Sequence, residues 1–125
     1  HLAGNSGAIG NGGELAIDHT TLSGNMASAS GGAIFNNHFD VSIRVCTLEN
    51  NTAGKDGGAI FNQVGLTIQD SNISGNKASR GGAIFNSRRL TIEGSTIADN
   101  TASGDGGAIA DRSAFATTLT ISGST

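Results

Sequence analysis

Two groups of residues have the types and spacing that acid–base chemistry requires. Glu14 and Asp40 each stand directly before an apolar-x-apolar triplet, 26 residues apart. Two carboxylates roughly 5–10 Å apart are what glycoside hydrolysis uses, one as the acid and the other as base or nucleophile. Asp56, Arg80 and Asp105 each precede a pair of glycines. An acid–base–acid series of that kind is what a polysaccharide lyase could combine with a calcium ion. The Asp56, Arg80, Asp105 series also has a plainer explanation, because opposite charges stacked across neighbouring strands offset one another. No histidine or second acidic ring accompanies either group, so the plainer explanation is preferred. The five residues stand as catalytic candidates on type and spacing alone. His19 and His38 fall at different points of the pattern described below, which argues against a His-pair metal site. The residues imply no metal and no cofactor.

These side chains must be positioned by a chain of unusual composition. It has 125 residues, 20 of them glycine, with no proline, tryptophan or tyrosine and only 14% charged residues. A single cysteine, Cys46, excludes a disulfide scaffold. Collagen would need glycine at every third position. A net charge of −3 with scattered Lys and Arg argues against a nucleic-acid partner. No run approaches the roughly 20 apolar residues of a membrane-spanning helix, and no membrane insertion of this segment is expected. The glycine content also disfavours a helical bundle.

The decisive feature is a repeat. Gly-Gly-Ala-Ile-Phe-Asn begins at residues 31, 57 and 81 and degrades to Gly-Gly-Ala-Ile-Ala-Asp at 106, with steps of 26, 24 and 25 residues. On the same beat come the triplets Leu15-Ala16-Ile17, Val41-Ser42-Ile43, Leu66-Thr67-Ile68, Leu90-Thr91-Ile92 and Leu119-Thr120-Ile121. A third block, apolar-x-x-Asn, runs from Leu22, Leu48, Ile73 and Ile97 to Asn25, Asn51, Asn76 and Asn100. Short apolar/polar alternation bounded by Gly, Asn and Ser is the strand signal. Three such strands and their corners make one coil, and stacking coils pairs each strand with its equivalent in parallel.

The expected fold is therefore all-β: a right-handed parallel β-helix, or β-solenoid, of about five coils with three short strands each. Residues 1–125 read as one solenoid segment, a fragment of a longer repeat region. A left-handed hexapeptide solenoid would need an 18-residue coil. A leucine-rich repeat would place leucine where Thr20, Cys46, Ser71 and Ser95 stand, and the calcium-binding nonapeptide is absent.

In such a stack every position becomes a column of like residues. Asn25, Asn51, Asn76 and Asn100 are expected to form a structural ladder, at a corner where Asn tolerates the left-handed conformation. Asn36, Asn62, Asn86 and Asp111 form a second corner column. Parity turns Cys46 inward as an inert thiol. If Ile34 faces inward, alternation turns Phe35, Phe61 and Phe85 outward. An aromatic column there is either a binding surface or a self-shielding stack. Thr67, Thr91 and Thr120 form one outward threonine column, but Gln69, Glu93 and Ser122 beside it spoil an ice-binding face. Arg112–Thr118 interrupts the period as an insertion expected to bulge from the stack. Unpaired strand edges at the ends would make the isolated segment self-associate.

The Gly-Gly-Ala-Ile block alternating with apolar-x-x-Asn resembles the repeats of chlamydial-type polymorphic outer-membrane proteins. It is also similar to bacterial surface proteins with pectate-lyase-like right-handed β-helices. Leu22, Leu48, Ile73 and Ile97 depart from that family's Phe-x-x-Asn pattern. The resemblance covers nearly all of residues 2–125. It implies a secreted or outer-membrane, surface-displayed passenger segment that acts as a non-catalytic stalk or in adhesion. Its partners would be a host or cell-surface protein or glycan, besides the flanking coils of its own chain. The alternative is a carbohydrate-active β-helix, a lyase or hydrolase whose catalytic coils lie here or outside the segment.

Overall fold

Along Val41-Ser42-Ile43-Arg44 the side chains are alternately buried and exposed, as a strand with one covered face requires. The same parity returns one coil later at Leu66 and Ile68, and again at Leu90 and Ile92. A computed structural model, which describes residues 9–11, 14–36, 40–104, 107–111 and 119–122, arranges these strands as a parallel β-solenoid.

A strand β1 (Ile9–Asn11) precedes four full coils. These hold β2 (Leu15–Asp18), β3 (Thr21–Ser23), β4 (Met26–Ala27) and β5 (Ile34–Asn36); then β6 (Val41–Arg44), β7 (Thr47–Glu49), β8 (Thr52–Ala53) and β9 (Ile60–Asn62). Next come β10 (Gly65–Gln69), β11 (Asn72–Ser74), β12 (Lys77–Ala78) and β13 (Ile84–Asn86). The last coil has β14 (Arg89–Glu93), β15 (Thr96–Ala98), β16 (Thr101–Ala102) and β17 (Ile109–Asp111), and β18 (Leu119–Ser122) follows.

Each coil gives one strand to each of four parallel sheets. Two of them have five strands, β1-β5-β9-β13-β17 and β18-β14-β10-β6-β2; the others, β15-β11-β7-β3 and β16-β12-β8-β4, have four. The registers are those of the sequence repeat: Leu66 lies opposite Val41 and Leu90, and Phe61 opposite Phe35 and Phe85. Alternation in the sequence predicts three strands per coil, and the structure has four. The extra one, as in Thr52–Ala53, is two residues long, too short for alternation to show.

The core is a set of aliphatic ladders. Ile34, Ile60 and Ile84 are fully buried, as are Ile68, Ile92, Leu48, Ile73 and Leu90, and Val41, Ile43 and Leu66 are nearly so. Leu15, Leu22, Ile97 and Ile109, nearer the two ends of the stack, are only partly covered. Burial therefore depends on having a coil on both sides, the nearest-neighbour logic of a solenoid.

The glycine pair has two separate causes. Gly57 has φ of 70°, and a Cβ there would also strike the Ile60 carbonyl. Gly58 needs no special φ, but a Cβ would run into the Gly82 carbonyl and the Lys77 backbone of the next coil.

Candidate functional site

The corners carry most of the polar side chains that the coil buries. Asn51 and Asn76 are fully buried. The Oδ1 of Asn76 accepts from both the backbone N–H and the Nδ2 of Asn51, at 2.9 and 3.0 Å. Asn100 does the same for Asn76, and Asn51 for Asn25. Each Nδ2 also reaches a carbonyl, from Asn51 to Leu22, from Asn76 to Leu48 and from Asn100 to Ile73. The second column is likewise an amide ladder, Asn36 donating to Asn62 at 2.9 Å and Asn62 to Asn86 at 2.8 Å. No buried side-chain nitrogen or oxygen among the described residues lacks a partner.

The left-handed residues are not the ladder asparagines, as the sequence had suggested, but their predecessors. Gly24, Asn50, Gly75 and Asp99 have φ of 66°, 56°, 64° and 55°. A second left-handed column holds His19, Val45, Asp70 and Gly94. The ladder asparagines are instead held by their amide contacts. A single sequence does not separate neighbouring corner positions, since both are rich in Asn, Asp and Gly.

A hydroxyl column follows the second corner, and sequence reasoning gave it no role. Ser71 Oγ accepts from the Cys46 N–H at 3.0 Å and donates to the Gln69 carbonyl at 2.8 Å. Ser95 repeats this for Ser71 and Glu93. Cys46 takes a serine's place, with its buried thiol 3.1 Å from the Arg44 carbonyl and 3.4 Å from that of Ile17. The signal was present in the column Thr20, Cys46, Ser71, Ser95, all small side chains able to donate.

The phenylalanines form a stack whose centroids lie 5.0 Å apart for Phe35–Phe61 and 5.3 Å for Phe61–Phe85, with rings nearly parallel. They make a cluster separate from the aliphatic core. The exposed aromatic column that strict alternation suggests is not what forms. Phe61 and Phe85 are only 8% and 6% exposed, and Phe35 is partly covered. The Arg80 guanidinium lies 5.0 Å from the centre of the Phe85 ring.

Arg80 also grips Asp56 with two hydrogen bonds, Nε to Oδ1 at 2.7 Å and Nη2 to Oδ2 at 2.9 Å. Asp56 is buried and Arg80 about one-third exposed. Asp105, the third member of that series, lies outside the described residues, as does the Arg112–Thr118 insertion. Glu14 and Asp40 are both exposed and border a shallow depression of about 430 Å³ with Leu15, Ala16 and Ser42. Asp40 also edges a second one, about 240 Å³, lined by Gly65, Leu66, Thr67, Arg89 and Thr91. There Arg89 Nη2 meets the two Asp40 oxygens at 3.1 and 3.3 Å. Both hollows lie on the outer face of the β2–β6–β10–β14 sheet. Asp18 on the same face approaches Arg44 at 3.8 Å and His19 at 2.8 Å. Among the described residues, no group of three or more His, Cys, Asp or Glu could hold a metal ion. Among the described residues there is no helix long and apolar enough to cross a membrane.

No curated protein and no solved structure matches the chain. Residues 19–37, 45–63, 70–87 and 94–111 match the Chlamydia polymorphic membrane protein repeat. Each match starts at a left-handed corner and runs through three sheets, leaving out the strands β6, β10 and β14 and the Asp40 that precedes β6. Since these matches cover more than half of its residues, the chain belongs to the Chlamydia polymorphic membrane protein repeat family.

Proposed function

We propose that the chain is a non-catalytic stalk or adhesive passenger segment of a secreted or surface-displayed bacterial β-helix protein. The family points to a surface-displayed bacterial β-helix. The observation that carries the non-catalytic part is the state of the carboxylates. Asp40 and Asp56 are each engaged by an arginine. Glu14 and Asp40 face open depressions that give no enclosure for a sugar ring. Burial of Phe61 and Phe85 shifts the expected contact surface away from the aromatic column. It moves to the outer face of the β2–β6–β10–β14 sheet, where the hydroxyls of Ser42, Thr67 and Thr91 alternate with charged columns. A host or cell-surface protein or glycan is the partner such a polar face suits. The segment does not insert in a membrane and does not bind nucleic acid.

The test uses the purified chain in two assays. Incubation with neutral and uronic-acid polysaccharides should release no reducing ends and no unsaturated sugar. Beads coated with the chain should attach to host cells, and Asp40→Lys with Thr67→Lys should reduce attachment. Sugar release that disappears in Glu14→Gln or Asp40→Asn would replace this reading with the carbohydrate-active one. Beads that attach no better than uncoated ones would remove the adhesive role.

A further inference from the structure

The amide ladders account for nearly every asparagine whose side chain the structure describes. Asn25, Asn51, Asn76 and Asn100 form one, and Asn36, Asn62 and Asn86 the other. Two asparagines belong to neither. Asn50 and Asn72 are exposed, and neither carboxamide makes a hydrogen bond among the described residues.

Those two, and no other asparagine in the sequence, begin an Asn-x-Ser/Thr triplet: Asn50-Asn51-Thr52 and Asn72-Ile73-Ser74. That triplet is the acceptor for Asn-linked glycans. The first ladder cannot contain it. Two residues beyond each of its asparagines stands Ala27, Ala53, Ala78 or Ala102, on a short strand where the first three are buried. The solenoid thus keeps its structural amides out of the acceptor pattern and places the pattern on the surface.

The two acceptors are not equivalent. Bacterial oligosaccharyltransferases also read an acidic residue two positions before the asparagine. Asp70 stands there for Asn72, whereas Leu48 stands there for Asn50. Asp70 is exposed at a left-handed corner, and Ser74 is half-buried. Asn72 opens β11 between Thr47 and Thr96 of the neighbouring coils, with its side chain outward, so a bulky polar adduct would extend into solvent.

We propose that Asn72 is an acceptor site for an Asn-linked oligosaccharide, transferred from a polyprenyl-pyrophosphate donor. In the transfer, the Asn72 Nδ2 forms a bond to the anomeric carbon of the first sugar. The bond from that carbon to the pyrophosphate oxygen breaks, the polyprenyl pyrophosphate leaves with the electron pair, and one Nδ2 proton passes to a base of the transferase. In the finished solenoid the Asn72 N–H is bound to the Cys46 carbonyl at 2.9 Å and Ile73 is fully buried. Transfer therefore precedes closure of this coil, on the chain as it is exported. The inference is separate from the adhesive role and needs only that the chain is exported.

The test is export of the chain into a periplasm supplied with a bacterial oligosaccharyltransferase and its lipid-linked oligosaccharide, followed by intact-mass and peptide mass spectrometry. One glycan increment is expected, located on the peptide containing Asn72. Asn72→Gln should abolish it. Asp70→Asn, which keeps a residue tolerant of the left-handed corner, should lower occupancy at least tenfold. Asn50→Gln should leave it unchanged, and all three variants should melt within a few degrees of the parent. An exported, folded chain without a glycan overturns the proposal, as does a glycan that survives Asn72→Gln or disappears in Asn50→Gln.

Discussion

Arg89 and Asp40 form an ion pair across an intervening coil. Arg89 opens β14 and Asp40 directly precedes β6, strands that are not neighbours; β10 lies between them, and its Gly65 stands opposite Arg89. A Cβ on Gly65 would collide with the Asp40 carboxylate and crowd Arg89 Nη2. The missing side chain is thus what lets the two charges meet. Both partners are about 60% exposed, so the pair contributes at most about 1 kcal/mol. A double-mutant cycle with Asp40→Ala and Arg89→Ala should give a coupling of about that size or less, falling with added salt. In a Gly65→Ala background the coupling should vanish. Coupling that persists there would mean the charges meet by another path.

The Asp56–Arg80 pair should behave differently, because Asp56 is buried and its arginine also covers Phe85. Arg80→Met leaves a buried carboxylate without its counter-charge, and the expected loss is about 3 kcal/mol. Asp56→Ala leaves a charge on a long side chain that can reach water, so its cost should be smaller. Unfolding titrations at low salt and at about 1 M salt should show little change in either difference, since partly buried pairs are weakly screened.

Asn76 tests the ladder. Asn76→Ala takes the acceptor from two donors of Asn51 and the donor from the Leu48 carbonyl, all buried. A loss of about 3 kcal/mol or more is expected, from unsatisfied groups each costing about 1–3 kcal/mol. Asn72→Ala, four residues away and exposed, should stay within about 0.5 kcal/mol. Amide hydrogen exchange should show the Asn76 variant opening first at the β8–β12 corner.

Among the described residues, Val45 is the one β-branched residue at a left-handed corner, with φ of 52° and its side chain over one-third exposed. Its column otherwise holds His19, Asp70 and Gly94. A left-handed conformation costs an L-residue about 1–2 kcal/mol. Val45→Gly or Val45→Asn should therefore raise the unfolding midpoint by the equivalent of about 1 kcal/mol. An unchanged or lower midpoint would show that Val45 gains more from its contacts than its backbone loses.

What the sequence determined by itself is everything that repeats. The 25-residue beat specifies a parallel solenoid, the inward columns of Ile, Leu and Val, the two asparagine ladders and the inward Cys46. Columns are legible because stacking puts equivalent residues of successive coils about 4.8 Å apart, so one dimension of sequence maps onto one dimension of structure. What only the tertiary structure decided are relations between unlike positions. The two-residue fourth strand is shorter than the alternation that would announce it. The left-handed residue sits one place before the asparagine, at Asn50 and not Asn51, because backbone closure selects it. Phe61 and Phe85 are covered despite their outward parity, and Arg89 finds Asp40 two coils away over a glycine. Such relations depend on side-chain length and on empty space, and the period carries neither.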